Sequence, residues 1–278
     1  MNNARRLRAA LASAAVVALT GCAGPGGSSE ATTGPVFAHV HGLGVDPADG
    51  TVYVASHDGL FRSGPDGLVP AGAAGRDLMG FTIAGPGTFL SSGHPAPGDD
   101  LPQPLGLVES RDGGVSWTAL SLTGEVDFHA LDAVRDTVYG YDATNGLLRA
   151  SADGGRSFQD RAALQALDIA VYPADPDLVL ATVEGGVTAS TDGGRTFAAP
   201  TGPQLAYLSW GRDGTVYGLD LDGAVFTSSD RGSTWQRIGA GPGGRPQAVA
   251  AVDGALLTAT TSGVFRSEDG GMTFSDLG

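Results

Sequence analysis

An all-β architecture, a six-bladed β-propeller of four-stranded antiparallel blades, follows from three observations on the sequence. A short motif recurs five times at intervals of 38 to 41 residues. Each interval holds apolar runs of strand length, and those runs are divided by turns rich in glycine and proline. The chain has 278 residues, of which 45 are glycine and 16 proline, a composition also found in disordered chains. Here the glycines fall between apolar runs, where tight turns need positive φ, and 41% hydrophobic residues supply a core.

The motif copies are Ser110-Arg-Asp112-Gly-Gly-Val-Ser116-Trp117, Ser151-Ala-Asp153-Gly-Gly-Arg-Ser157-Phe158 and Ser190-Thr-Asp192-Gly-Gly-Arg-Thr196-Phe197. Ser228-Ser-Asp230-Arg-Gly-Ser-Thr234-Trp235 and Ser267-Glu-Asp269-Gly-Gly-Met-Thr273-Phe274 complete the set. The pattern S-x-D-x-G-x-[ST]-[WF] resembles the Asp-box (BNR) repeat. Its aspartate and hydroxyls suit hydrogen bonding to turn amides, its glycine a conformation other residues resist, and its aromatic an anchor between sheets. Asp112, Asp153, Asp192, Asp230 and Asp269 are therefore expected to be structural.

The remaining strands follow in order. In the fourth repeat, residues 168–173 read as strand A, 178–183 as B, 186–190 as C, and 195–197 as D. Breakers at 47–50, 85–87, 135–136, 212–214 and 253–254 mark the A–B turns. A degenerate first repeat has strand A at 41–47, strand B at 51–55, and a worn box at Asp66-Gly67. Leu60-Phe-Arg-Ser63 within it matches Val264-Phe-Arg-Ser267. Six units that begin with a strand A and end with a strand D predict closure by blade packing, with no strand borrowed from the other terminus. The propeller is assigned to residues 36–278.

The N-terminus reads separately. Arg5, Arg6 and Arg8 precede an apolar run from Ala9 to Leu19, too short to span a bilayer, so residues 1–21 are expected to be a signal peptide. Leu19-Thr20-Gly21-Cys22 resembles the bacterial lipobox, and the resemblance implies that Cys22 is lipidated and becomes the mature N-terminus. Cys22 is the single cysteine, which excludes an intrachain disulfide. Residues 22–35 then form a flexible tether holding the domain at the extracytoplasmic face of the bacterial cell membrane. All sixteen basic residues are arginine, and loss of the three in the leader takes the net charge from −14 to −17. That charge repels phosphate backbones and argues against a nucleic-acid partner.

The five histidines are His39, His41, His57, His94 and His129, all in the first three repeats. Aligning the A strands puts His41, Met79 and His129 at one equivalent position, with His39, Asp77 and Asp127 two residues earlier. His57 and His94 fall where B strands end. In an antiparallel blade the start of A and the end of B share an edge, so all five histidines belong to one mouth, opposite the boxes. The long B–C connection at 93–105, with Asp99 and Asp100, lies on that mouth too. His39, His41, His57, Met79, His94, Asp127 and His129 are the candidate ligand or metal residues, and His41, His129 and Met79 the candidate coordinating set. Imidazole with thioether leans toward copper and imidazole with carboxylate toward zinc. The alternative is that the histidines hydrogen-bond backbone at crowded blade tops.

Two other functions are carried alongside. Propellers similar to the sialidase class would make this a glycoside hydrolase, but that resemblance implies a Phe-Arg-Ile-Pro motif, and Phe61-Arg62-Ser63 departs from it. Tyr139, Tyr141 and Tyr217 lack a glutamate partner, which leaves Asp127, Asp142, Glu109 and Glu184 as carboxylates for another hydrolysis. The repeats also resemble photosystem II assembly-factor and sortilin-type propellers, which implies docking of a protein. A protein or glycan ligand is thus expected on either alternative, and the sequence carries no signal for an oligomeric state.

Overall fold

The computed structural model describes residues 37–278 apart from residues 73 and 74. The expected signal peptide, Cys22 and the tether lie outside the described residues. Every regular element described is a β-strand, and the strands form six sheets arranged as the blades of a propeller. Blade 1 comprises β1 (Val40–Val45), β2 (Val52–Ser56), β3 (Gly59–Gly64) and β4 (Gly67–Pro70). Blade 2 comprises β5 (Asp77–Gly85), β6 (Thr88–His94), β7 (Leu107–Ser110) and β8 (Thr118–Ser121). Blade 3 comprises β9 (Phe128–Val134), β10 (Thr137–Asp142), β11 (Leu147–Ser151) and β12 (Gln159–Ala163). Blade 4 has β13 (Ala166–Val171), β14 (Val179–Val183) and β15 (Gly186–Ser190). Blade 5 comprises β16 (Leu205–Trp210), β17 (Val216–Asp220), β18 (Val225–Ser228) and β19 (Gln236–Gly239). Blade 6 comprises β20 (Pro246–Val252), β21 (Ala255–Thr260), β22 (Gly263–Ser267) and β23 (Ser275–Asp276).

Blade 4 departs from the expected strand D at 195–197. In this blade the chain beside β15 makes only an isolated bridge, Val187 to Thr201, and Thr188 Oγ donates to Ala198 O at 2.6 Å. Pro200 and Pro203 flank that bridge and have no amide to donate, so a continuous ladder cannot form. In the other box-bearing blades the outer strand begins after the box aromatic, not within the box. The worn box of blade 1 is also different: residues 65–66 form a two-residue turn that pairs Gly64 with Gly67 directly.

The five boxes have one geometry. In the third blade Ser151 Oγ donates to Asp153 Oδ1 at 2.7 Å and accepts from Gly155 N at 2.8 Å. Ser157 N donates to Oδ1 at 2.9 Å and its hydroxyl to Oδ2 at 2.6 Å. The same bonds recur around Asp112, Asp192, Asp230 and Asp269. All five carboxyls are held well below the ordinary carboxylate range, chiefly by the box hydroxyl four residues on. The boxes stand beside the A–B turns, through bonds such as Gly154 N to Asp136 O at 2.8 Å. Each aromatic packs into the layer shared with the preceding blade: Trp117, Phe158, Phe197, Trp235 and Phe274 all join such clusters. Trp210 sits there too, buried beside Tyr172 with its indole N–H toward Ala170 O at 3.3 Å.

Ring closure needs no shared strand. The sheet β1-β2-β3-β4 and the sheet β20-β21-β22-β23 are each built from consecutive residues, and Val40, Leu43 and Val54 pack on Ala248, Ala250 and Leu257 between them. A polar latch crosses every blade interface besides. Asp46 accepts Gly87 N at 3.1 Å, Ser92 Oγ accepts Phe128 N at 3.0 Å, and Asp132 accepts Val171 N at 2.7 Å. Asp168 accepts Leu208 N at 2.8 Å, Ser209 Oγ accepts Ala251 N at 2.9 Å, and Gln247 accepts Val40 N at 3.2 Å, which closes the circle. Each latch satisfies an amide at a crossing where no strand partner exists.

Two of these latches have a pH signature. Asp132 and Asp168 line the central channel, and burial raises their carboxyls to about 6 and about 7, with Asp132 adding to the effect on Asp168. Both side chains are half-buried against the channel. A carboxyl raised above its unfolded value contributes stability that is complete below pH about 4 and is lost as pH rises through the folded value near 7. His41 acts in the opposite sense below pH 6.5, so the comparison between variants isolates the aspartate. Asp168→Asn keeps an oxygen for Leu208 N and should raise the melting temperature relative to the parent at pH 8 but not at pH 4, close to the carboxyl's unfolded value. Parallel melting curves at both pH values would exclude this role.

Candidate functional site

All six inner strands carry a β-bulge near their first residues, where the register slips by one. The bulge leaves His41 of β1, His129 of β9, Leu167 of β13, Ala206 of β16 and Gln247 of β20 without a cross-strand partner. In β5 it covers Met79 and Gly80. The equivalent position shared by His41, Met79 and His129 is thus a bulge position, where a side chain is re-aimed out of the pleat. Met79 is half-buried there. His41 and His129 both line the channel, whose volume is about 690 Å³.

Three groups meet where blades 1 and 2 join. His57, just beyond β2, places Nδ1 2.7 Å from Asp77 Oδ1 at the start of β5. His41 Nε2 lies 3.3 Å from His57 Nδ1 and 3.7 Å from Asp77 Oδ1. Among the described residues, this is the set of three whose ligand atoms all lie within 4.8 Å of one another. His39 stacks edge-on against His41, with ring centroids 4.7 Å apart, and its Nδ1 accepts from the Gln247 amide at 3.0 Å. The His41 side chain is 9% exposed, against 41% for His57 and 24% for Asp77. Burial, with His39, His57 and His129 nearby, pushes the His41 imidazole down to about 3, and burial likewise lowers His39. At neutral pH the His41 imidazole is therefore uncharged, the form in which a ring nitrogen can ligate a metal.

The backbone of Gly93 positions Asp77. Gly93 has φ +135 and pairs with Leu78, and a Cβ there would stand 2.0 Å from the Asp77 carbonyl oxygen. Only glycine lets β6 come this close to the carboxylate's own backbone.

Where blades 2 and 3 join, His94 Nε2 lies 3.3 Å and His129 Nε2 3.0 Å from Asp127 Oδ2. The hydrogen bond to Asp127 raises the His129 imidazole against the effect of burial. The five histidines and Asp127 therefore gather at one mouth, as the strand alignment implies, but in two sets. The strand alignment marks Asp77 only as the residue equivalent to His39 and Asp127. Its position next to a B-strand histidine of the preceding blade was the signal that could have marked it.

Other carboxylates are engaged elsewhere. Asp142 is fully buried and bonded to Arg149 at 3.2 Å and Asn145 at 2.7 Å, Glu109 pairs with Arg111 at 2.7 Å, and Glu184 is exposed in a B–C turn. Asp99 of the long B–C connection lies 3.7 Å from Arg76. Tyr139 donates to Pro176 O at 2.9 Å and Tyr141 is buried, so both are structural.

Comparison with known proteins supports the fold. No protein-family model matches the chain, and no curated protein matches by sequence. Among solved structures it is similar to an ancestral GH74 enzyme, 14% identical at a TM-score of 0.58, covering 87% of this chain and 39% of that one. It is also similar to YCF48 bound to D1 peptide, 14% identical at a TM-score of 0.52, covering 87% and 83%. A catalytically inactive virginiamycin B lyase from Staphylococcus aureus with quinupristin is 13% identical at 0.56, covering 86% and 84%. The chain spans about two fifths of the GH74 enzyme's length. These likenesses are to β-propellers, and a six-bladed propeller is the class to which fold and repeats assign this protein.

Proposed function

We propose that this protein is a metal-binding propeller module in which His41 Nε2, His57 Nδ1 and the Asp77 carboxylate hold a zinc or copper ion. The observation that carries the reading is the convergence of those three atoms from two blades. A tetrahedral ion with bonds of about 2.0–2.1 Å separates its ligand atoms by roughly 3.3–3.4 Å. The 3.3 and 3.7 Å edges fit that spacing, and the 2.7 Å edge is a hydrogen bond that opens slightly when the ion displaces its proton. Two imidazoles and a carboxylate suit zinc by ligand type, and copper(II), which has the higher intrinsic affinity for such donors, is the other candidate. Three protein ligands leave a fourth position facing the mouth, open to water or an exogenous ligand. Gln247, which bonds His39, fixes the ring packed behind His41.

Metal-depleted mature protein should take up zinc on equilibrium dialysis, and His57→Ala should lose that ion while retaining its melting temperature. An unchanged zinc stoichiometry and affinity in the variant would overturn the assignment. The glycoside hydrolase alternative has less support, because Asp142 and Glu109 are tied in ion pairs and the GH74 likeness is one of fold.

The leader and Cys22 support anchoring of the module at the outer face of the bacterial membrane. Cys22→Ser should abolish incorporation of labelled palmitate and release the protein from the membrane fraction. A variant that stayed labelled and membrane-bound would refute the anchor.

A further inference from the structure

The three ligands at the junction of blades 1 and 2 constrain the fourth. Two neutral imidazoles and one carboxylate leave a divalent ion with one positive charge uncompensated and, for zinc, one tetrahedral position open. A monoanion answers both needs. A carboxylic acid, with a pKa of about 4, is already ionised at neutral pH, whereas a thiol at about 8.5 must first lose its proton. His41 lines the central channel, so the coordination sphere opens onto that space. We infer that the metal site is the head of a pocket for a small aliphatic carboxylate, whose carboxylate completes the ion's coordination and whose hydrocarbon lies across the mouth against Leu167. The inference rests on the metal assignment above.

The channel wall supplies the rest of the ligand's outline. His41, His129 and Leu167 take the same bulge position in blades 1, 3 and 4, and all three line the channel. Leu167 is 58% exposed. Of the six exposed large apolar side chains among the described residues, it is the one on the channel wall. Ile83, Ala130 and the half-buried ring of Tyr207 line the channel as well. A hydrocarbon laid there removes apolar surface from water at a place already concave. The volume of about 690 Å³ is that of a small-molecule site. A second charged end on the ligand is disfavoured, because Asp168, next to Leu167, and Asp132 line the same channel and repel another carboxylate.

The test separates head from tail. Metal-depleted mature protein is loaded with cobalt(II), whose visible bands report a change of ligand, and titrated with acetate and, separately, with hexanoate. A fully buried methylene is worth about fourfold in affinity, so four of them, half-covered, should make hexanoate at least about tenfold tighter than acetate. Leu167→Ser alters an exposed side chain, so it should keep its cobalt and its melting temperature and hold acetate within about twofold of the parent. It should lose most of the preference for hexanoate. Equal affinities for the two acids in the parent, or an unchanged preference in Leu167→Ser, would overturn the inference. Cobalt bands that neither acid shifts would overturn it too, and would leave the metal assignment standing. A parent that takes up neither cobalt nor zinc would overturn both.

Discussion

His57→Ala should weaken zinc binding at the blade 1–2 site by at least about 100-fold, since loss of an outer-shell partner alone costs 10- to 100-fold and this change removes a ligand. The variant is informative because its structural cost is small. The His57 side chain is 41% exposed, and its packing partners are the other imidazoles of the mouth rather than the core. The melting temperature without metal should therefore fall by no more than ~2 °C. His41 differs: its ring is nearly buried, and its removal opens space between His39 and His57 as well as deleting a ligand. His39→Ala should change affinity far less than either, because His39 packs behind the set instead of completing it. Equal losses for His39→Ala and His57→Ala, read by calorimetry, would contradict the assignment of ligands.

Gly93→Ala should destabilise the propeller by at least about 3 kcal/mol, combining left-handed backbone strain with a backbone clash. For a domain of this size that corresponds to a fall of roughly 6–12 °C in Tm. The added Cβ would meet the Asp77 carbonyl oxygen at 2.0 Å, and the Asp77 carbon and the Met79 nitrogen at 3.0 Å. None of these is a flexible side-chain tip, so β5 and β6 must separate. Zinc affinity should fall with stability, since Asp77 moves with the strand. Gly50→Ala is the control. Gly50 also has positive φ, +78, but a Cβ there meets nothing within 4 Å, so only the conformational cost of about 1–2 kcal/mol applies. Similar melting temperatures for the two variants would show that the close approach at Gly93 is not under strain.

How much of this was legible in the sequence depends on the range of the interactions. The boxes are local: serine, aspartate, glycine and hydroxyl act within seven residues, so their pattern is their structure. The A–B turns are local too, and even the odd member, Arg135, adopts φ +56 where four of the other repeats place a positive-φ glycine, at Gly50, Gly87, Gly214 and Gly254. The missing outer strand of blade 4 had a local cause, Pro200 and Pro203, that was readable beforehand. The latches from Asp46, Ser92, Asp132, Asp168, Ser209 and Gln247 were not, because each reaches an amide on the next blade and no shared motif marks them. For the same reason the histidines were legible as a mouth but not as two sets. Strand alignment gives edge and blade, whereas the division depends on which B-strand end abuts which A strand across a blade interface. The bulges add to this, since a one-residue slip invisible to alternation decides where His41 and His129 point.

The central claim is that His41, His57 and Asp77 bind one metal ion. Crystals of the zinc-loaded protein, measured on both sides of the zinc absorption edge, test it most directly. The account predicts an anomalous peak within about 2.0–2.2 Å of His41 Nε2, His57 Nδ1 and an Asp77 carboxylate oxygen. A fully loaded crystal with no peak at that position, and with the hydrogen bond from His57 to Asp77 intact, would contradict it.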